Sequence, residues 1–233
     1  MIKLCKKGVG KAQGFEGCYE RKKRYKYGLC AGCFQEWLTN TEAGQNFLRS
    51  SIIPNAKKDV KNKKQKEKQK AKIDLMSVDQ YRKEKLQPVI NEIIRIIDYG
   101  QPCIAQPHQQ GQDAGHFHSV GSNRTLALHA HNIHLQSRDS NGFKGGESLE
   151  FYKGLKRVYG ESYAEYCDSL RQIQPIKLTK DELIEARKKA MNFKKYIVVK
   201  QVLFTSPITR VYYRNLLNQE LNIYPKEWQE FFI

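Results

Sequence analysis

Residues 113 to 136 open with Asp113-Ala114-Gly115-His116-Phe117-His118 and close with His131-Asn132-Ile133-His134-Leu135-Gln136. All six histidines of the 233-residue chain fall between His108 and His134. Imidazole changes charge near neutral pH and is a common metal ligand, so this crowding marks a chemical site. Turn residues follow at short intervals: Gly111, Gly115, then Gly121-Ser122-Asn123. They predict a hairpin with strands at Phe117 to Val120 and Thr125 to Leu128, and a helical pattern resuming beyond Asn132.

On the N-terminal side, Ser77-Val78-Asp79-Gln80 has the form of a capping box. Tyr81, Leu86, Val89, Ile90, Ile93, Ile94 and Ile97 then recur at helical spacing, which predicts a core helix. Pro88 predicts a kink or break in it, and Gly100 with Pro102 ends it. On the C-terminal side, residues 147 to 170 predict a helical pair interrupted at Gly160, and Thr179-Lys180-Asp181-Glu182 starts a helix running to about Lys195. Residues 196–233, with Ile197-Val198-Val199 and Trp228-Gln229-Glu230-Phe231-Phe232, read as a packing or docking tail without assignable chemistry.

Residues 1–50 carry Cys5, Cys18, Cys30 and Cys33, the last two in the C-x2-C spacing that lets one tight turn offer two thiolates to a tetrahedral ion. They predict a structural zinc module, against the alternative of four reduced free thiols. Between them, Glu20 to Tyr27 is a basic and aromatic strip suited to phosphates or to stacking on a base. In residues 51–76, the run Lys57 to Lys72 holds nine lysines and two acids, so no face of it can enter a core. It is expected as a solvated helix or a disordered linker that follows a phosphate backbone. The part that carries the histidine cluster then spans 77–195.

Forty-one Lys and Arg against 24 Asp and Glu give a formal charge of +17, which favours nucleic acid as the partner. Hydrophobic content of 39% predicts that part of the chain is extended or loosely packed. No stretch approaches the ~20 apolar residues of a membrane span, and Met1 to Gly10 lacks the apolar core of a signal peptide. The chain is therefore expected to be soluble and intracellular, with its clustered cysteines reduced and free to bind metal.

Asp113-Ala114-Gly115-His116, then Asn132-Ile133-His134-Leu135-Gln136, then Ser137-Arg138-Asp139-Ser140 and Asn141 resemble the core of the phage NinG/Rap recombination nucleases, a family of the HNH or His-metal finger type. The likeness is specific over about forty residues and extends more weakly to about Leu170. It implies an α+β, mostly helical fold in which a small ββα-metal finger at about 101–146 is flanked by helices. It implies further a DNA endonuclease acting on branched intermediates such as Holliday junctions or D-loops, in the cytoplasm of a bacterial host, as the product of a phage or prophage.

In that resemblance His116 is the general base, and Asp113 and Asn141 are oxygen ligands of one magnesium or manganese ion. Asn132 ties the loop to the helix through its amide. His134 is a further ligand or orients a phosphate, and His118 is a second candidate. His108, His129 and His131 read as structural or surface residues. A homodimer would serve symmetric cutting of a junction. The sequence departs from the family where many members carry two C-x2-C pairs beside the finger: Cys103 pairs here with Gln106, and Ser137 with Ser140, so that second zinc is expected to be absent. The rival readings are a zinc-containing, nonenzymatic nucleic-acid-binding protein and a sequence-specific HNH homing or restriction nuclease.

Overall fold

The computed structural model describes residues 2–121, 123–143, 147–200 and 203–232. Met1, Ser122 of the expected hairpin turn, Lys144 to Gly146 at the end of the expected finger, Gln201, Val202 and Ile233 lie outside the described residues. The fold is mostly helical α+β with small antiparallel sheets, and the chain divides into two compact units, Met1–Leu75 and Met76–Ile233.

In the first unit, strands β1 (Ile2–Leu4), β2 (Arg21–Lys26) and β3 (Leu29–Cys30) pair antiparallel in that order. Tyr27 (φ 50°) and Gly28 (φ 82°) make the two-residue turn between β2 and β3, both in the left-handed region that matches the twist of a hairpin. Every residue of β2, Arg-Lys-Lys-Arg-Tyr-Lys, is exposed. Helix α1 (Ala31–Asn40) turns Phe34, Trp37 and Leu38 onto Leu29 and onto Phe47 of α2 (Glu42–Phe47). The lysine run lies in α3 (Ile53–Leu75), 23 residues of which none is buried. It is a helix with charge all round it, so solvation replaces packing.

In the second unit, α4 (Val78–Tyr81), a widened i→i+5 turn at Arg82–Leu86 and α5 (Gln87–Ile97) form one helical path. Pro88 sits in the first turn of α5, where its missing N–H costs no hydrogen bond, and the widened turn takes up the change of register just before it. Half of the capping box forms: Ser77 accepts from the N–H of Gln80 (3.1 Å), while the Gln80 side chain bonds Glu84 instead of returning. Ile90, Ile93, Ile94 and Ile97 of α5 are fully buried.

Helix α5 packs on a hairpin of β4 (Asp113–His116) and β5 (Ile133–Gln136), antiparallel with Asp113 opposite Gln136 and His116 opposite Ile133. Helices α6 (Ser148–Tyr159) and α7 (Glu161–Ser169), broken at Gly160 (φ 95°), bring Phe151, Tyr159 and Tyr163 against the ring of His134. Helix α8 (Lys180–Val199) starts with the complete Thr179–Glu182 capping box. Helix α9 (Pro207–Leu221) packs on α8 and on the 3-10 turn Ala130–Asn132, and buries Arg214 and Asn218 completely. The segment 196–233, read as a tail, thus supplies part of the interior.

The hairpin differs from the expected one in position. Its strands are not Phe117 to Val120 and Thr125 to Leu128, which lie in the connection between β4 and β5. Residues 124–128 form the 3-10 helix Arg124–Leu128, begun where Asn123 Oδ1 accepts the N–H of Thr125 (3.0 Å). Over so few residues, buried Leu126 and Leu128 satisfy strand alternation and a tight helix alike. Asn132 ends a 3-10 turn ahead of β5 instead of starting a helix, and the next helical turn is the widened one at Asp139–Phe143.

Candidate active site

His116 ends β4, half-buried. Its Nε2 lies 3.1 Å from the carbonyl oxygen of Ala127 and 3.4 Å from Nε2 of Gln87. A carbonyl only accepts, so Nε2 carries the hydrogen and Nδ1 the lone pair. Gln87 is held by Arg82, which donates to its Oε1 at 2.8 Å. Nδ1 has no hydrogen-bond partner among the described residues. Burial lowers the His116 pKa below its ordinary 6.5; the Ala127 bond opposes the shift and the Arg82 charge adds to it. The ring is therefore oriented, neutral near pH 7, and basic at a free nitrogen.

Asn132 is buried and ties the β4–β5 connection to itself. Its Oδ1 accepts from the N–H of His118 (2.8 Å), and its Nδ2 donates to the carbonyls of His118 (3.0 Å) and Leu126 (3.2 Å). The amide thus fixes the connection beside His116, joining His118 to Leu126 of the 3-10 helix Arg124–Leu128.

Asp113 begins β4, half-buried, and its carboxylate has no hydrogen-bond or salt-bridge partner among the described residues. It faces Gln136, whose Nε2 donates to Ser140 Oγ (3.1 Å), next to the exposed Asn141. A Cβ on Gly115 would stand 1.7 Å from Gln136 Oε1, so a glycine there lets the Gln136 side chain cross the strand. Alternation along β4 puts Asp113 on this Gly115–Gln136 face and His116 on the other. Gln136, opposite Asp113, thus reaches the turn that carries Asn141, while His116 lies on the other face of the strand.

His134 faces the interior. Arg214 donates to its Nδ1 (3.2 Å), so its Nε2 carries the hydrogen and donates to the His131 carbonyl (3.2 Å). Burial and the Arg214 charge drive its pKa well below 6.5. Both nitrogens of His134 are thus engaged within the protein, and the ring is buried in the frame. His118 Nε2 donates to the Cys167 carbonyl (2.9 Å), and His129 Nε2 to that of Trp228 (2.9 Å). His131 bridges Tyr163 and Asn215, while His108 is exposed.

A second constellation lies in the first unit. The sulfurs of Cys5, Cys18, Cys30 and Cys33 are all within 4.8 Å of one another. The N–H of Cys30 donates to the Cys5 sulfur (3.2 Å), and the backbone of Cys33 holds the Cys30 thiol down to about 7. Four convergent thiols, Cys18 exposed and the others buried, fit a tetrahedral zinc ion in donor type and spacing. Among the described residues no other group of three or more His, Cys, Asp or Glu side chains converges in this way. At the pairs Cys103–Gln106 and Ser137–Ser140, hydrogen bonds close the turns: Cys103 Sγ accepts from Gln106 N–H (3.3 Å) and Ser137 Oγ from Ser140 N–H (3.2 Å).

Several participants carried no sequence signal. The Ala127 carbonyl is backbone. Arg82 and Gln87 fall among other charged and polar residues, Asp79 to Lys85, with nothing to single them out. Asp98 and Arg214, paired at 2.7 Å and both buried, are 116 residues apart.

The model of the family described as the bacteriophage lambda NinG protein matches residues 16–198, well over half of the chain. No curated protein and no solved structure matches it.

Proposed function

The chain belongs to the family of the bacteriophage lambda NinG protein, and we propose that it is a metal-dependent DNA endonuclease of the His-metal finger type, selective for branched recombination intermediates such as Holliday junctions and D-loops. The observation that carries this reading is His116, a neutral imidazole oriented by a backbone carbonyl with Nδ1 open. We read β4, β5 and the turn Asp139–Phe143 as a reduced ββα finger around it.

In the proposed reaction Nδ1 of His116 takes a proton from water, and the water oxygen bonds to the scissile phosphorus as the bond to the 3' oxygen breaks. The Nε2–H to Ala127 bond supports the imidazolium that forms. Asp113 and Asn141 are hard oxygen donors free of competing partners, and they fit a magnesium or manganese ion. Bound there, the ion would supply stabilisation of the charge developing on phosphate oxygens. The four-cysteine zinc would hold the N-terminal module together. The exposed β2 and α3 offer cations for backbone contacts, which give affinity without base specificity.

The separation of Asp113 from His116 on β4 favours one rival, a binding module whose finger no longer catalyses. Cleavage of a labelled four-way junction beside a matched linear duplex, with magnesium, manganese or no added metal, decides between them. The expected result is metal-dependent junction cutting that His116→Ala lowers by about 10²–10⁴ with binding retained. Tight, salt-sensitive binding with no cutting in any metal establishes the binding module instead. Cutting of linear duplex at one fixed sequence would point to the homing or restriction type.

A further inference from the structure

A cavity of about 270 Å³ is walled by α4 and Arg82, by the 3-10 helix Arg124–Leu128 and by residues 176–178. Its floor is aliphatic: Leu128 and Leu183 are 2% and 1% exposed, and Ile176 and Ile223 are half-buried. Its rim carries Arg124 and Lys177, both exposed and neither paired with an acid among the described residues. The carboxylate in its lining, Asp79, is already neutralised by Arg82 (2.8 Å) and Lys83 (3.2 Å). We propose that this cavity receives one unpaired nucleobase of branched DNA, with Arg124 and Lys177 on the phosphates that flank it.

Three features select this occupant. The volume lies just under the range of about 300–1,000 Å³ that takes drug-sized ligands, so it admits one heterocycle and not a duplex or a folded peptide. An apolar floor under a cationic rim matches a flat base attached to a charged backbone. The cavity also shares its parts with the catalytic imidazole. Thr125 and Leu128 flank Ala127, whose carbonyl orients His116, and Arg82 holds the Gln87 that touches His116. A base docked here rests on the elements that hold the His116 ring through Nε2. A Watson–Crick pair cannot enter, and extruding a base from duplex costs a few kcal/mol that an already unpaired base does not. Preference for branch points then arises from this cavity without any base-specific contact.

The inference rests on the nuclease reading for its DNA, so the test reads binding apart from cutting. Without added magnesium or manganese, full-length protein is titrated into a four-way junction carrying 2-aminopurine at the branch point, and into the matched duplex. Two variants are compared: Ile176→Trp, which fills the cavity, and Val78→Glu, which puts an acid at its mouth. Val78 is 44% exposed in the first turn of α4, where an acid suits the helix. The expected result is a 2-aminopurine signal with wild type that both variants abolish, and a junction-over-duplex preference that falls roughly tenfold. Equal preference and signal in Val78→Glu and wild type overturn the pocket even if the protein cuts junctions. A signal that the variants abolish in a protein that cuts nothing upholds the pocket and removes the nuclease.

Discussion

His116 binds the Ala127 carbonyl through Nε2, and this single bond decides which nitrogen is basic. The pH dependence follows from its environment. Burial and Arg82 lower the pKa, so the base stays unprotonated below pH 6.5. Cleavage should accordingly hold level from neutral pH to beneath 6.5 and then decline with unit slope; an acid limb centred above 6.5 in a kcat/KM profile would remove His116 as the base. At this scale the sequence was legible where a residue type alone carries the signal, as in the four cysteines, whose sulfurs converge. It was silent where a side chain's availability depends on distant partners. His134 looks like a ligand beside Asn132, yet Arg214, 80 residues on, occupies one nitrogen and the His131 carbonyl the other.

Elements with local signals are legible in the sequence. The Thr179 capping box opens α8, Gly160 separates α6 from α7, and the isoleucines of α5 face inward. The hairpin was displaced because four-residue strands leave too short a record of period, and its register is set by what packs on each face. One such support is the Asp98–Arg214 pair. Arg214 also donates to the carbonyls of Ala130 (3.2 Å) and Ile133 (3.2 Å), so α9 is fastened both to the end of α5 and to the hairpin. Asp98→Asn leaves a buried guanidinium without its counter-charge and should cost about 3–5 kcal/mol in chemical denaturation. Arg214→Met in the same chain removes that charge, so the double variant is expected to be more stable than Asp98→Asn alone. A double variant that is less stable would show that the arginine acts through its carbonyl bonds and not through its charge.

Across the whole molecule, charge is divided by burial. The second unit holds neutral histidines inside. His129, His131 and His134 are all lowered by burial, His129 to about 4. Below pH 6.5 the unfolded chain binds protons that the native state excludes, so stability should fall steadily from pH 6.5 to 4, with His129 alone responsible for roughly 3 kcal/mol. A thermal midpoint that stays constant over that window would contradict the burial of these rings. The first unit instead displays its cations on β2 and α3. No helix among the described residues is long and apolar enough to cross a membrane, and in α3 the length is spent on lysine. Lys61, Lys64 and Lys68 follow one another at three- and four-residue spacing along one stripe of it. If that stripe lies along a phosphate backbone, each lysine displaces condensed counterions. Replacing all three by glutamine should reduce the slope of log K against log salt by about 0.9 for every phosphate no longer neutralised, leaving the ratio of junction to duplex affinity unchanged. A slope equal to wild type would make α3 a spacer, and a changed ratio would move recognition of the branch point from the cavity to this helix.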